Sequence, residues 1–215
     1  MKERLYCLIM AGGEGKRFWP EGKKGLPKQF FPINDSLSML EVTFERMRRF
    51  IPDKRIFIVT NSRQIELIKQ KMPFLKKSIF ILEPFARNTA AAIGLAALYL
   101  ESKDRQAIML VTPSDHIIKN NKKFLKSLDL AAKAAASDEL LVAIGIKPTS
   151  PNTEYGYIKI KSRPRAEGES LKTYYKLEKF VEKPDKETAE KFLKSGDYLW
   201  NSGIFAWKTS TILNA

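Results

Sequence analysis

Apolar residues recur along this chain with two different periods. Short unbroken apolar runs at residues 7–10, 56–59, 79–82, 107–111 and 140–146 end at Gly, Pro or polar clusters, the signature of buried strands. Between them the spacing turns helical. Leu40, Phe44, Met47 and Phe50 fall on one face, with Ser38 as N-cap, Glu41 completing a capping box, and Pro52-Asp53 as the stop. A second helix is predicted from Asn61 or Ser62 to about Lys71, before Pro73. Residues 89–100 are Ala-rich and apolar nearly all round, which predicts a buried helix. Residues 121–137 are amphipathic, with Phe124, Leu128 and Ala132 on the inner face. Beyond Pro148 the period shortens to two. "EYGYIKI" and "YYKLEKFVEK" read as strands, with "RPRAEGES" between them as an exposed turn. Residues 185–195 form a helix closed by Gly196, "GIFAW" is a short strand, and residues 208–215 start a helix.

Strands alternating with helices predict an α/β fold, a mostly parallel sheet covered on both faces. Ligands on such sheets sit beyond the carboxyl ends of the strands. The unusual segments lie at those ends: the glycine loop after the first strand, "EPFARN" after the third and "TPSDH" after the fourth. No linker, internal repeat or low-complexity segment calls for a second domain.

Composition narrows the function classes. A chain of 215 residues suits one large domain, or one plus a small appendage, and 44% hydrophobic residues is ordinary for a globular protein. No apolar run is long enough to span a membrane, and the run after Lys2, Glu3 and Arg4 is too short for a signal peptide. One Cys cannot make an internal disulfide, so a reducing cytoplasm is expected, and one Cys with one His leaves little for zinc. The net charge of +14 suits nucleic acid, anionic membrane surfaces or phosphorylated ligands. Dispersed lysines without an aromatic-basic motif argue against nucleic acid.

The loop "AGGEGKRFWPEGKKGLPKQF" carries the first chemistry. Gly12, Gly13 and Gly15 let backbone N–H groups approach an anion. A P-loop needs Ser or Thr after its Lys, but Arg17 follows Lys16; a dinucleotide fingerprint needs Gly where Phe18 stands. The alternatives are a solvated basic turn and a loop wrapped around phosphate. Lys16, Arg17, Lys23, Lys24 and Lys28 favour phosphate.

Four further segments bear polar groups. Asp115 in "PSDHII" suits either a turn or helix cap, or Mg²⁺, which takes oxygen ligands and bridges phosphates. His116 is a base or a packing residue. In "ILEPFARNTAAAI", Asn88 or Thr89 suits a helix cap, while a Glu83 carboxylate could accept the paired N1–H and N2–H₂ donors of guanine, which adenine lacks. Glu182 and Lys183 are neighbours, so a bulge or strand end is needed for both to face one ligand. Asn201, Ser202 and Gly203 precede the last apolar strand.

In order, "AGGEGKRFWP", "PKQF", "EPFARNTAAAI", "PSDHII", "GIKPTSPNTEYGYI", "FVEKPD" and "WNSGIF" resemble the mannose-1-phosphate guanylyltransferases, or GDP-mannose pyrophosphorylases, of the sugar-nucleotidyltransferase superfamily. The resemblance implies a Rossmann-like mixed, mostly parallel sheet of the nucleotide-diphospho-sugar transferase type. It implies that GTP and mannose 1-phosphate give GDP-mannose and pyrophosphate, in the cytoplasm, with Mg²⁺. Neither nucleic acid nor membrane would be a partner; a homodimer is left open. It divides the domain, 1–215, into a nucleotide-binding part, 1–147, and a sugar-phosphate-binding part, 148–215. Gly12, Gly13, Gly15 and Lys16 would hold the nucleotide, although the superfamily usually has Thr at the position of Lys16. Arg17 would hold the departing β,γ-phosphates and Lys28 would counter charge at the α-phosphate. Glu83, Asn88 and Thr89 would read guanine, and Asp115 would bind Mg²⁺. Gly156, Glu182 and Asn201 would contact mannose, with Lys183 on its phosphate. Family members continue past residue 215 with a Ser-x-Asp-Tyr segment that supplies a second metal ligand. Without it the 215 residues are expected to be a truncated domain that binds GTP–Mg²⁺ but makes little GDP-mannose. Another sugar-1-phosphate nucleotidyltransferase and a non-catalytic nucleotide-sugar-binding module are the alternatives.

Overall fold

The computed structural model describes residues 2–13, 27–34, 37–85, 88–161 and 174–215. Ten strands and six α-helices lie among them: β1 (Leu5–Met10), β2 (Pro32–Asn34), β3 (Leu37–Ser38), α1 (Met39–Arg48), β4 (Ile56–Thr60), α2 (Ile65–Lys71), β5 (Phe80–Leu82), α3 (Asn88–Lys103), β6 (Ile108–Pro113), α4 (Asn121–Asp138), β7 (Val142–Ile146), β8 (Tyr157–Ile160), β9 (Leu177–Val181), α5 (Lys186–Ser195), β10 (Tyr198–Lys208) and α6 (Thr209–Leu213). The chain divides into two compact units, Met1–Val142 with Phe205–Ala215, and Ala143–Ile204.

The first unit is built on the apolar runs. Strands pair in the order β5-β4-β1-β6, all parallel, and the last residues of β10 add an antiparallel edge to β6. Leu8, Phe57, Val59, Ile81, Met109 and Val111 point to one face, where they pack with Ala92, Ile93, Ala96, Ala97 and Leu100 of α3. The alternate residues Cys7, Ile9, Ile56, Ile58 and Leu110 point the other way and are also buried, so both faces are covered. The sheet is thus mixed, with a mostly parallel core flanked by helices. Helix α3 is apolar nearly all round, as expected, yet only one face is buried: Leu98 is exposed, as are Thr89 and Ala90. Helix α1 begins with the expected capping box, the Ser38 and Glu41 side chains each accepting from the other's backbone N–H. It ends at Arg48, before Pro52. A turn occupies residues 62–64, so α2 starts later than the pattern predicts, and the Asn61 side chain accepts from the N–H groups of Arg63 and Gln64.

Strand order fixes where a ligand can sit. From β1 the chain winds outward through β4 and β5, then returns along α3 to place β6 on the opposite side of β1. The direction of winding reverses between β1 and β6, and the region beyond their carboxyl ends is where open α/β sheets bind ligands. Gly12 and Gly13 leave β1 there, and Ser114 and Asp115 leave β6 there.

In the second unit β9, β8 and the first residues of β10 pair antiparallel, and β7 also pairs with β10. Its core joins Tyr157, Ala189 and Tyr198, with Phe192 stacked on Tyr198. Helix α5 is closed by Gly196 in the left-handed region, as the pattern predicts, but it starts at Lys186, one residue later than expected, with the Asp185 side chain as its N-cap. The last strand differs from expectation. Asn201, Ser202 and Gly203 lie inside the 11-residue β10 rather than before it. Gly203 has φ of 68°, and its N–H donates to Asn201 Oδ1 at 3.1 Å, so a local kink is tolerated within a continuous strand. "RPRAEGES" lies outside the described residues.

Candidate active site

The glycine loop is held from beneath. Ala11 N–H donates to Val59 O, extending the β1–β4 pairing by one residue. Gln29 Nε2 donates to Ala11 O at 2.9 Å, Gly13 O at 3.3 Å and Gln64 Oε1 at 2.7 Å. Gln64 Nε2 also reaches Gly13 O, and Asn61 Nδ2 reaches Gly12 O. Gln29 and Gln64 are 3% and 4% exposed. In the sequence Gln29 stands only as part of "PKQF", and nothing marks Gln64 as a site residue. A buried amide beside a buried carbonyl is a tertiary fact, and the one available signal was polar Thr60-Asn61 at the end of an apolar run.

Glu83 meets this loop. Its N–H donates to Thr60 O, and its Oε2 lies so close to the Gly12 Cα that a Cβ there would overlap the carboxylate. Burial pushes the Glu83 carboxyl above the usual carboxylate range. Asn88 opens α3 with φ of 64°, and Asn88 and Thr89 are exposed at that helix start. Arg87 is outside the described residues.

Beyond β6, Ser114 anchors the second loop. Its N–H and Oγ both donate to Met10 O, and Thr43 Oγ1 donates to Ser114 O. Below, buried Arg46 donates from Nε to Asn121 Oδ1 at 2.9 Å, and burial lowers its pKa. Asp115 does not cap α4, whose N-cap is Asn120. It forms a 2.7 Å ion pair with Lys28, both side chains about one-third exposed. Burial lowers the His116 pKa, Asp115 opposes that shift, and Lys28 and Arg46 add to it, so the imidazole is neutral at pH 7. The structure therefore brings Gly12 beside Glu83, and Lys28 beside Asp115. Gly15, Lys16 and Arg17 lie outside the described residues.

The sugar-phosphate candidates cluster within the second unit. Asn201 N–H donates to Gly156 O at 2.8 Å, and a Cβ on Gly156 would lie 3.1 Å from Glu182 Oε2. Strand β9 ends at Val181, and Lys183 takes φ of 38°. The strand end and this left-handed residue swing Glu182 and Lys183 to one side, 3.8 Å apart, which meets the geometric condition set by the sequence. A cavity of about 350 Å³ elsewhere in this unit is lined by Lys147, Ile160, Tyr175, Leu193 and Leu199, and by none of the candidates.

Among the described residues no group of three or more His, Cys, Asp or Glu could hold a metal ion. Asp115 offers one carboxylate beyond β6, which fits Mg²⁺ where phosphates and water complete the shell. No helix of the described residues is long and apolar enough to cross a membrane.

A glycine loop after the central strand, and an acid after the strand at the switch point, put the candidates of an open α/β protein where such sheets bind ligands. The family model for nucleotidyl transferases matches residues 6–214, and the chain belongs to that family. It is 39% identical over 203 residues to a protein of Salmonella montevideo named mannose-1-phosphate guanylyltransferase, covering 94% of this chain and 42% of that one. An Escherichia coli protein of the same name is 39% identical over 212 residues, covering 98% and 44%. The chain thus spans less than half the length of these relatives. A solved Thermus thermophilus protein, described as a mannose-1-phosphate geranyltransferase, superposes with a TM-score of 0.85 at 33% identity, covering 97% of this chain and 58% of that one.

Proposed function

We propose that this chain carries the guanylyl-transfer chemistry that makes GDP-mannose and pyrophosphate from GTP and mannose 1-phosphate. The observation that carries the reading is the Glu83 carboxylate seated on Gly12, at the mouth of the glycine loop. An acceptor-only group at that place favours a base with two adjacent donors, and guanine has them. The names of the relatives support the same nucleotide and sugar.

The attacking oxygen belongs to the phosphate of mannose 1-phosphate and is already anionic, so no general base is required. It forms a new P–O bond at the α-phosphorus of GTP while the bond to the bridging α–β oxygen breaks, and pyrophosphate leaves with that electron pair. The task left to the protein is to align two polyanions and offset their repulsion. Gly12, Gly13, Gly15 and Lys16 serve the nucleotide phosphates, with Arg17 on the leaving group and Lys28 at the α-phosphate. Asn88 and Thr89 assist Glu83 at the base. Gly156, Glu182 and Asn201 orient mannose, and Lys183 meets its phosphate. Asp115 would hold Mg²⁺, which when bound supplies positive charge to the phosphates. Residues 1–147 serve the nucleotide and 148–215 the sugar phosphate. The lone cysteine suits a reducing cytoplasm.

The test is pyrophosphate release, with and without mannose 1-phosphate, from GTP, ATP and UTP, alongside calorimetry of GTP binding. Binding that favours GTP is expected, and such pyrophosphate as this chain releases, which should be little, should require mannose 1-phosphate. Equal binding of all three nucleotides would overturn the guanine reading.

A further inference from the structure

We propose that Gln29 and Gln64 are positioning residues that hold the Gly12 and Gly13 N–H groups toward the nucleotide phosphates. This rests on the reading of the glycine loop as a phosphate site.

Three consecutive carbonyls are accounted for by side chains. Ala11 O accepts from Gln29 Nε2 and Thr60 Oγ1, Gly12 O from Asn61 Nδ2, and Gly13 O from Gln29 Nε2 and Gln64 Nε2. In a trans peptide the C=O and N–H of one unit point in opposite directions. Holding Ala11 O and Gly12 O inward therefore turns the Gly12 and Gly13 N–H groups outward. Among the described residues neither N–H donates a hydrogen bond, and a Cβ on Gly13 would meet open space. That is the arrangement an anion nest requires.

Glycine by itself does not hold it. A Gly-Gly peptide can rotate between several backbone regions at little steric penalty, and one orientation persists only if something outside the loop selects it. The two glutamines do so as a pair. Gln29 Nε2 faces three oxygens, so the reversed amide would set its own oxygen against all three. Gln64 Oε1 accepts from Gln29 at 2.7 Å, which leaves its Nε2 for Gly13 O. Each amide fixes the orientation of the other, and both are buried. Because they touch backbone beneath the loop, they act on the nucleotide through the glycines.

The experiment uses the chain labelled with ¹⁵N-glycine. In the unaltered protein the Gly12 and Gly13 amide signals should move when GTP is added, and Gly196, remote from the loop in sequence, should not. Gln29→Met keeps length and apolar bulk but removes the donors. Its Gly12 and Gly13 signals should broaden or double while Gly196 stays single. Its GTP affinity should fall roughly tenfold, the scale of one hydrogen bond to a charged group. Guanosine has no phosphate, so its displacement of a fluorescent guanine nucleotide should weaken far less. Gln64→Glu, which keeps the acceptor for Gln29 and loses the donor to Gly13, should repeat the pattern more weakly on Gly13 than Gln29→Met does.

Sharp, unmoved glycine signals and unchanged GTP affinity in both variants would overturn the proposal. Equal losses of GTP and guanosine with single glycine signals would also overturn it, by making the glutamines supports of the fold alone. If GTP fails to move Gly12 and Gly13 in the unaltered chain, the phosphate reading of the loop itself falls, and this proposal with it.

Discussion

The two compact units prepare their candidate groups in different ways. In the first, the loop after β1 is tied down by amides that solvent barely reaches, and Asp115 is met by Lys28 above a layer of Ser114, Thr43 and Arg46. In the second, the Glu182 and Lys183 side chains are 77% and 45% exposed and their mutual contact is loose. Surface pairs of that kind contribute little to stability. The first unit has met the entropic cost of ordering during folding, whereas under the proposed division of roles the second would order its side chains only on binding sugar. Substitutions should therefore act mainly on turnover and nucleotide choice in one unit, and on sugar affinity in the other.

The largest effect should come from Lys28. Lys28→Ala removes a cation from a preorganised site and should lower kcat by roughly a hundredfold, the scale of single electrostatic donors, with a much smaller change in GTP affinity. Steady-state kinetics with direct binding would check this, and near-normal turnover would erase the contrast between the units.

Glu83→Gln comes next. It sets a donor against guanine donors, so the preference for GTP over ATP and UTP should fall by about tenfold or more. The same change should stabilise the fold at pH 7. Burial raises the folded-state pKa of Glu83, so stability is lost as pH rises from the ordinary carboxylate value through the raised one. Thermal melting should show Glu83→Gln ahead at pH 7 and level with the parent near pH 3.5. A variant less stable at both pH values would make Glu83 a structural acceptor.

For the second unit, Glu182→Ala and Asn201→Ala should each raise the KM for mannose 1-phosphate by roughly threefold to tenfold, the range of single net hydrogen bonds. GTP affinity should hold. A larger loss in GTP binding than in sugar binding would show that the division of labour is wrong.

The smallest functional effect belongs to Gly196→Ala. Gly196 sits at φ of 76° behind α5, and a Cβ there should cost about 1–2 kcal/mol of stability. Denaturant titration should register that loss, while kcat and nucleotide choice stay unchanged.

What could be read in advance follows the range of the interactions. The parallel strands of the first unit, the α1 capping box and the Gly196 stop of α5 are local patterns and were legible, whereas the short β2–β3 pair and the Asp185 cap were not. So was the condition on Glu182 and Lys183, because strand geometry leaves few ways to bring neighbours to one side. Fewer long-range features were legible. The kink at Gly203 hides in a strand whose other residues are apolar or aromatic for the most part. The return of 205–215 to the first unit leaves no mark, since β10 runs on without a break. Gln29 reads as one more polar residue in a basic loop until the fold sets Gln64, 35 positions away, against it.

Cys7, the lone thiol, gives the protein a built-in gauge. It lies at 0% exposure in β1, paired with both β4 and β6, and burial pushes its thiol pKa well above the ordinary value. Alkylating reagents attack the thiolate and need access. Modification of Cys7 should thus proceed only through openings that part the central strands, so its rate times the folded state's reluctance to open. Ligands that close on the glycine loop should slow that clock even when they leave no spectroscopic trace, and a single mass measurement per time point would read it.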